Sequence, residues 1–314
     1  MSKKRLKRLA LVTVFLFLIG NFIVYNHVHR FTHFSETSKE KTKSPEQLNT
    51  IEKLKTLFLG ISIPKPENAV TPGREYDTFV VQSNETLEVW SIEVPEDRGK
   101  IIMFHGYSSS KSDLIQYSEE FNKKGYSTFL VDFMGSGGSS GNLTTIGYEE
   151  SQNVRAVYDY VKEQNPNDKI ILFGCSMGAV SIMKSLSDFE ISPDKVILEC
   201  PFGSFRSTTK RRFEAMKLPS FPFADLLLIH GWIQLGFNPY RHNPVEYAKD
   251  INVPALLLYG KEDDRIPIRS IEEIYENIEG HKKLGILENS GHEVYLNNDA
   301  EDWNTLIDDF LMNK

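Results

Sequence analysis

The sequence predicts an α/β protein, a doubly wound and mostly parallel sheet with a small helical cap inserted between two strands, preceded by a single N-terminal transmembrane helix. Three observations carry this. Five short apolar runs, KIIMF (100–104), STFLV (127–131), KIILF (169–173), KVILE (195–199) and ALLLY (255–259), lack polar alternation. Strands buried on both faces read this way, which requires helices on either side of a parallel sheet. Helical periodicity lies between and after the runs, at Val154, Val157, Tyr158 and Val161, and again at Trp303, Leu306, Ile307, Phe310 and Leu311. Finally, Leu9–Tyr25 is a 17-residue stretch without a charge, set behind a basic cluster.

Composition narrows the class. The chain has 314 residues, 40% hydrophobic and 25% charged, as an ordinary folded protein with a large core does. Two cysteines, Cys175 and Cys200, exclude a disulfide scaffold and a Cys-rich zinc module. Residues 1–30 hold six Lys or Arg and no acid, so the rest of the chain carries −13 of a total of −7. A body that acidic repels a phosphate backbone, and no nucleic-acid partner is expected.

The N-terminus reads as an uncleaved anchor. A 17-residue helix spans about 25 Å, and snorkelling Lys and Arg extend its reach towards the roughly 30 Å of a hydrocarbon core. A cleaved signal peptide is the competing reading, but no small-residue cleavage site follows, NFIVYNHVHRF being bulky throughout. The positive-inside rule keeps Lys3–Arg8 cytoplasmic and puts the body on the extracytoplasmic side. The expected organisation is therefore a basic end and anchor over 1–30, a tether and lead-in helix over 31–69, and a catalytic domain over 70–314. Within 31–44 the sequence is polar and uncommitted. Ser44-Pro45 suits the start of a helix that Gly60 stops. YDTFVVQS and TLEVWSIEV read as an antiparallel hairpin around Asn84-Glu85.

In a doubly wound sheet, ligands sit beyond the carboxyl ends of the strands. After KIILF comes Gly174-Cys175-Ser176-Met177-Gly178, a G-x-S-x-G match opening the helix MGAVSIMKSL. Its glycines let strand turn sharply into helix and leave the serine oxygen exposed. A second match, Gly137–Gly141 around Ser139, lies in a glycine-serine loop with no helix after it, so Ser176 is the candidate nucleophile. A serine needs a base, and the base an orienting acid, in the chain order Ser, acid, His for this turn. Asp263 follows ALLLY, and His292 follows the run LGILE, which is the required order. Turn and loop roles are the bland alternatives for each taken singly. The N–H groups of Met177 and Tyr107 are the expected oxyanion donors. His105 precedes Ser176 and reads as structural.

These residues resemble the alpha/beta-hydrolase superfamily over about residues 70–314, through HGY (105–107), DFMGSGGSSG (132–141), GCSMG (174–178), and GKEDDRIP with SGH near the end. The similarity is closest to the serine aminopeptidase-like, lysophospholipase-like and monoglyceride-lipase-like branch. It implies that Asp263 rather than Asp264 is the acid, and it places a cap at about 202–250. It also implies an ion pair that Met134, standing where an arginine is usual, leaves missing. Apolar residues of the cap, including Phe202, Phe205, Phe213, Met216, Leu218, Phe221 and Phe223, either pack the cap or line an acyl pocket. Lys210, Arg211 and Arg212 read as a solvated face, with anionic head groups as the alternative. Cys175 and Cys200 are expected to pack as small apolar groups, pairing being the alternative. The expected function is a membrane-tethered serine hydrolase of apolar or lipid-like esters, needing neither metal nor organic cofactor. A peptidase or acyltransferase with the same triad, and a non-catalytic binding protein on the same scaffold, are the alternatives.

Overall fold

A computed structural model describes residues 2–38, 40–42, 49–215, 217 and 219–312. The expected helix start at Ser44-Pro45 lies outside them, as do Met216 and Leu218. The N-terminal helix α1 (Lys3–Thr32) runs well past the apolar stretch, and α2 (Thr50–Leu59) is capped by Asn49 with Glu52 in reciprocal bonds. The stretch expected to be an uncommitted tether starts on the body. His33 bridges Leu143, Ser35 bridges Pro64, and Phe34 is buried.

The hairpin β1 (Asp77–Gln82) and β2 (Thr86–Ile92) is antiparallel. It joins β3 (Lys100–Phe104), β4 (Ser127–Val131), β5 (Ile170–Cys175), β6 (Lys195–Glu199), β7 (Ala255–Gly260) and β8 (Lys282–Leu287) in an eight-stranded sheet. The strand order is β1-β2-β4-β3-β5-β6-β7-β8, with β2 antiparallel to β4 and every later pairing parallel.

Alternation within a strand explains the unbroken apolar runs. Ile102 and Phe104 face a core shared with α4 (Glu150–Gln164), α5 (Met177–Asp188) and α9 (Ile268–Asn277), while Ile101 and Met103 face α3 (Ile115–Lys123) and α10 (Ala300–Met312). Each such buried side chain contributes about 1.5–3 kcal/mol, and Trp303, Ile307 and Phe310 supply that for α10.

Between β6 and β7 lie α6 (Phe205–Ala215), α7 (Phe223–Leu235) and the short α8 (Pro244–Tyr247). Phe202, Phe205, Phe237 and Tyr148 surround the buried His242 ring, and Phe213 stacks on Phe223. The rings around His242 hold the segment onto the body. Phe221, Phe223, Ile229, Trp232 and Ile233 instead point outward.

Candidate active site

The site sits at the carboxyl ends of β5, β7 and β8. Ser176 occupies the turn from β5 into α5 at φ 52° and ψ −110°, a conformation costing on the order of 1–3 kcal/mol for a residue with a Cβ. Neighbouring elements hold it there: Ser176 N–H donates to Glu199 O at 2.8 Å, and Val180 N–H donates to Ser176 O at 3.1 Å. The turn has no room beside it. A Cβ at Gly178 would lie 2.3 Å from Phe104 O, and one at Gly174 would lie 2.6 Å from Ala179 N. Both glycines of the motif are therefore steric requirements.

His292 lies between the other two candidates. Its Nδ1 is 2.7 Å from Asp263 Oδ2, and its Nε2 is 3.0 Å from Ser176 Oγ. With Nδ1–H donating to the carboxylate, Nε2 is left to accept the serine hydroxyl. Asp263 is held in turn, its Oδ1 accepting the N–H groups of Arg265 and Ile266 at 2.8 Å each. Its side chain is fully shielded, whereas Asp264 is exposed. The loop carrying His292 is fixed by Asp299, whose carboxylate accepts from Asn289 N, Asn289 Nδ2 and Ser290 Oγ.

Met177 opens α5 directly after Ser176, where helix N–H groups lack partners within the helix. The loop holding Tyr107 lies against the same serine, since a Cβ at Gly106 would be 3.7 Å from Ser176 Cβ. Both expected donors thus flank the nucleophile candidate. The rival residues sit elsewhere. Ser139 is buried, its hydroxyl donating to Asp132 O at 2.7 Å and accepting Glu88 N–H at 2.9 Å. His105 donates from Nδ1 to Gly106 O and accepts Phe133 N–H at Nε2, which fixes one neutral tautomer; burial lowers its pKa further.

Three buried groups were not legible as such. Cys200, the first residue beyond β6, places its sulfur within 4.8 Å of ligand atoms of both Asp263 and His292. Burial lowers the His292 pKa, but interaction with Cys200 and the bond and charge of Asp263 outweigh it, and the imidazole ends above its ordinary 6.5. Both cysteines are free thiols. Cys175 donates to Glu199 Oε2, where Tyr117 OH also donates, while Trp303 Nε1 donates to Oε1. Burial raises this carboxyl to about 7 against those three bonds.

Lys111 is the third. It is fully buried, pairs with fully buried Asp132 and reaches Glu88 at 2.6 Å. Its ammonium also lies 4.3 Å from the Trp90 ring centre.

A parallel sheet with this hairpin edge, a strained serine turn and a serine–histidine–aspartate line across its strand ends make up the alpha/beta-hydrolase fold, which this chain adopts. Within it, the relatives are esterase- and lipase-like. The family model described as serine aminopeptidase, S33, matches residues 95–229. YqkD of Bacillus subtilis, an uncharacterized protein, is 27% identical over 244 residues, covering 76% of this chain and 80% of the relative. The lysophosphatidylserine lipase ABHD12 of Xenopus tropicalis is 25% identical over 197 residues, covering 59% of this chain and 48% of that one. The chain therefore spans about half the length of that lipase. An esterase of Pyrococcus furiosus shares the fold at a TM-score of 0.63 and 23% identity, over 79% of this chain and 97% of its own.

Proposed function

We propose that the protein is a serine hydrolase that cleaves carboxylic esters of apolar or lipid-like acyl groups. One observation carries this: Ser176 Oγ, His292 and Asp263 are joined by two hydrogen bonds at 3.0 and 2.7 Å. His292 Nε2 takes the hydroxyl proton as Ser176 Oγ attacks the ester carbonyl, and Asp263 holds the imidazolium that forms. The N–H groups of Met177 and Tyr107 receive the developing oxyanion, each such donor being worth about 3–4 kcal/mol of barrier. His292 then returns the proton to the departing alcohol. Water, activated by the same nitrogen, releases the acyl group from Ser176.

The lipid-like part of the reading is supported by the outward apolar side chains of α7 and by similarity to a lysophosphatidylserine lipase. Placement on a membrane is supported by α1, which is long and apolar enough to cross one. Lys3–Arg8 at its start favour an extracytoplasmic body.

Hydrolysis of p-nitrophenyl esters from two to sixteen carbons by the full chain, with a Ser176→Ala control, tests the reading. Activity that peaks at long acyl chains and falls by about 10⁴-fold or more in the control is expected. A fluorophosphonate should label wild type and Ser139→Ala but not Ser176→Ala. Labelling without ester turnover at any length would favour a peptidase or acyltransferase, and absence of labelling a binding protein.

A further inference from the structure

The length of α1 conflicts with a simple anchor. Only residues 3–20 project clear of the body, every described side chain there being exposed; from Asn21 onwards the helix packs on the protein. Eighteen residues make about 27 Å of helix, and the charge-free part, Leu9–Gly20, makes about 18 Å. A hydrocarbon core is about 30 Å thick. The projecting part alone therefore falls short, and a bilayer that contains the whole uncharged stretch must rise alongside Asn21–Tyr25.

What stands beside Asn21–Tyr25 is the cap helix α7. His230 Nε2 bonds Asn21 Oδ1 at 3.0 Å, Gln234 Nε2 donates to Tyr25 O at 3.0 Å, and the His230 ring packs edge-on against Tyr25. The polar side chains of α7 have partners, His230 and Gln234 on α1 and Asp225 in Arg206 and Tyr240. Phe223, Ile229, Trp232 and Ile233 of the same helix, with Phe221 just ahead, are each between 44% and 77% exposed. Exposed apolar side chains of that kind beside a spanning helix suit contact with the membrane surface, with tryptophan at head-group depth.

We propose that α7 is seated in the outer leaflet beside α1, so that the bilayer itself is the partner of the cap's exposed apolar side chains. This rests on α1 spanning the membrane, and it deepens the lipid-ester reading: the cap over the strand ends meets the acyl chains of the leaflet, and ester substrates enter from the membrane side. The two-helix contact fixes the depth, because α7 cannot leave the interface without breaking its bonds to Asn21 and Tyr25 or lifting α1.

Tryptophan fluorescence reads the position directly. Trp90 and Trp303 are buried in the body, so the difference between full-length protein and its Trp232→Phe variant reports Trp232. In phosphatidylcholine vesicles carrying brominated acyl chains, that component should lose at least half its intensity relative to plain vesicles, while aqueous iodide leaves it unchanged. Protein that floats with the vesicles but whose Trp232 component is bright with bromolipid and quenched by iodide overturns the proposal and leaves the anchor standing. Shielding from both quenchers would mean that a second copy covers these side chains, and also overturns it. Protein that fails to float overturns the anchor reading, and the proposal with it. Catalytic readings are tested separately by Ser176 labelling in the same vesicles.

Discussion

The phenol of Tyr107 donates a hydrogen bond to the backbone carbonyl of Phe31 at 2.6 Å, and the two rings stack with centres 4.9 Å apart. Seventy-six residues separate them in the chain. The contact ties the last turn of α1 to the loop whose backbone N–H is proposed to receive the oxyanion. Tyr107→Phe removes the bond while keeping the ring, and Phe31→Ala removes the stack. Each is expected to lower kcat by about three- to tenfold with KM within twofold, because a displaced donor weakens the transition state more than the bound ester. Equal changes in kcat and KM would indicate general loosening instead.

The Cys200 sulfur gives His292, the proposed base, a second neighbour. His292 must be neutral to act, and its folded pKa is raised, so kcat/KM should climb with pH to an acid limb above 6.5. Cys200→Ala removes the first of the raising interactions, and Asp263→Asn removes the second. The Cys200→Ala limb is expected at lower pH with the plateau nearly unchanged; Asp263→Asn should also cut the plateau, by about 10⁴-fold. A limb at the wild-type pH in Cys200→Ala would show that the sulfur has no electrostatic part in the site.

Lys111 and Asp132 form an ion pair with no exposure on either side chain. Burying both charges is costly, so the pair adds little over an apolar replacement, but breaking it strands a charge. Lys111→Met should therefore destabilise the protein by roughly 3–5 kcal/mol, while Lys111→Met with Asp132→Asn recovers a large part of that. Denaturant midpoints in detergent would measure both. Additive losses would count against a coupled pair.

Glu199 links stability to pH. Its carboxyl titrates near 7 when folded and near 4.5 when unfolded, so the stability held by the protonated form is complete below about 4.5 and is lost as pH rises to 7. A shift of that size corresponds to roughly 3 kcal/mol. Glu199→Gln cannot ionise, so wild type should lose stability relative to the variant between pH 4.5 and 7 and track it above 7. A difference independent of pH would place the two pKa values together.

The parts of this fold that were legible in the sequence are those set by local pattern. Five apolar runs became buried strands because both faces of the sheet are covered, and Ser176, Asp263 and His292 could be read as a series because each lies in the turn or loop that follows a strand end. What stayed hidden depends on contacts between distant segments. The stretch 31–44 looks polar enough to be linker, yet Phe34 is buried and His33 bridges Leu143. Lys111 follows a serine-rich loop and has no periodicity to mark it as buried. Its partner is 21 residues away, and its position in the core follows only from the pairing of β3 with β4. Cys200 was visible after its strand, but nothing local shows that β6 and β7 bring it beside Asp263.

From Lys3 to Thr32, α1 is one unbroken helix, about 45 Å long, without proline or a flexible joint before it meets the body. An enzyme on a loose linker samples a volume and answers to the molar concentration of its substrate. One mounted on a stiff stem is held at one height and tilt, and its encounters are confined to a plane. For such an enzyme the governing quantity is the number of ester molecules per unit area of leaflet. Diluting the lipid in a fixed membrane should slow it, while diluting the vesicles in buffer should not.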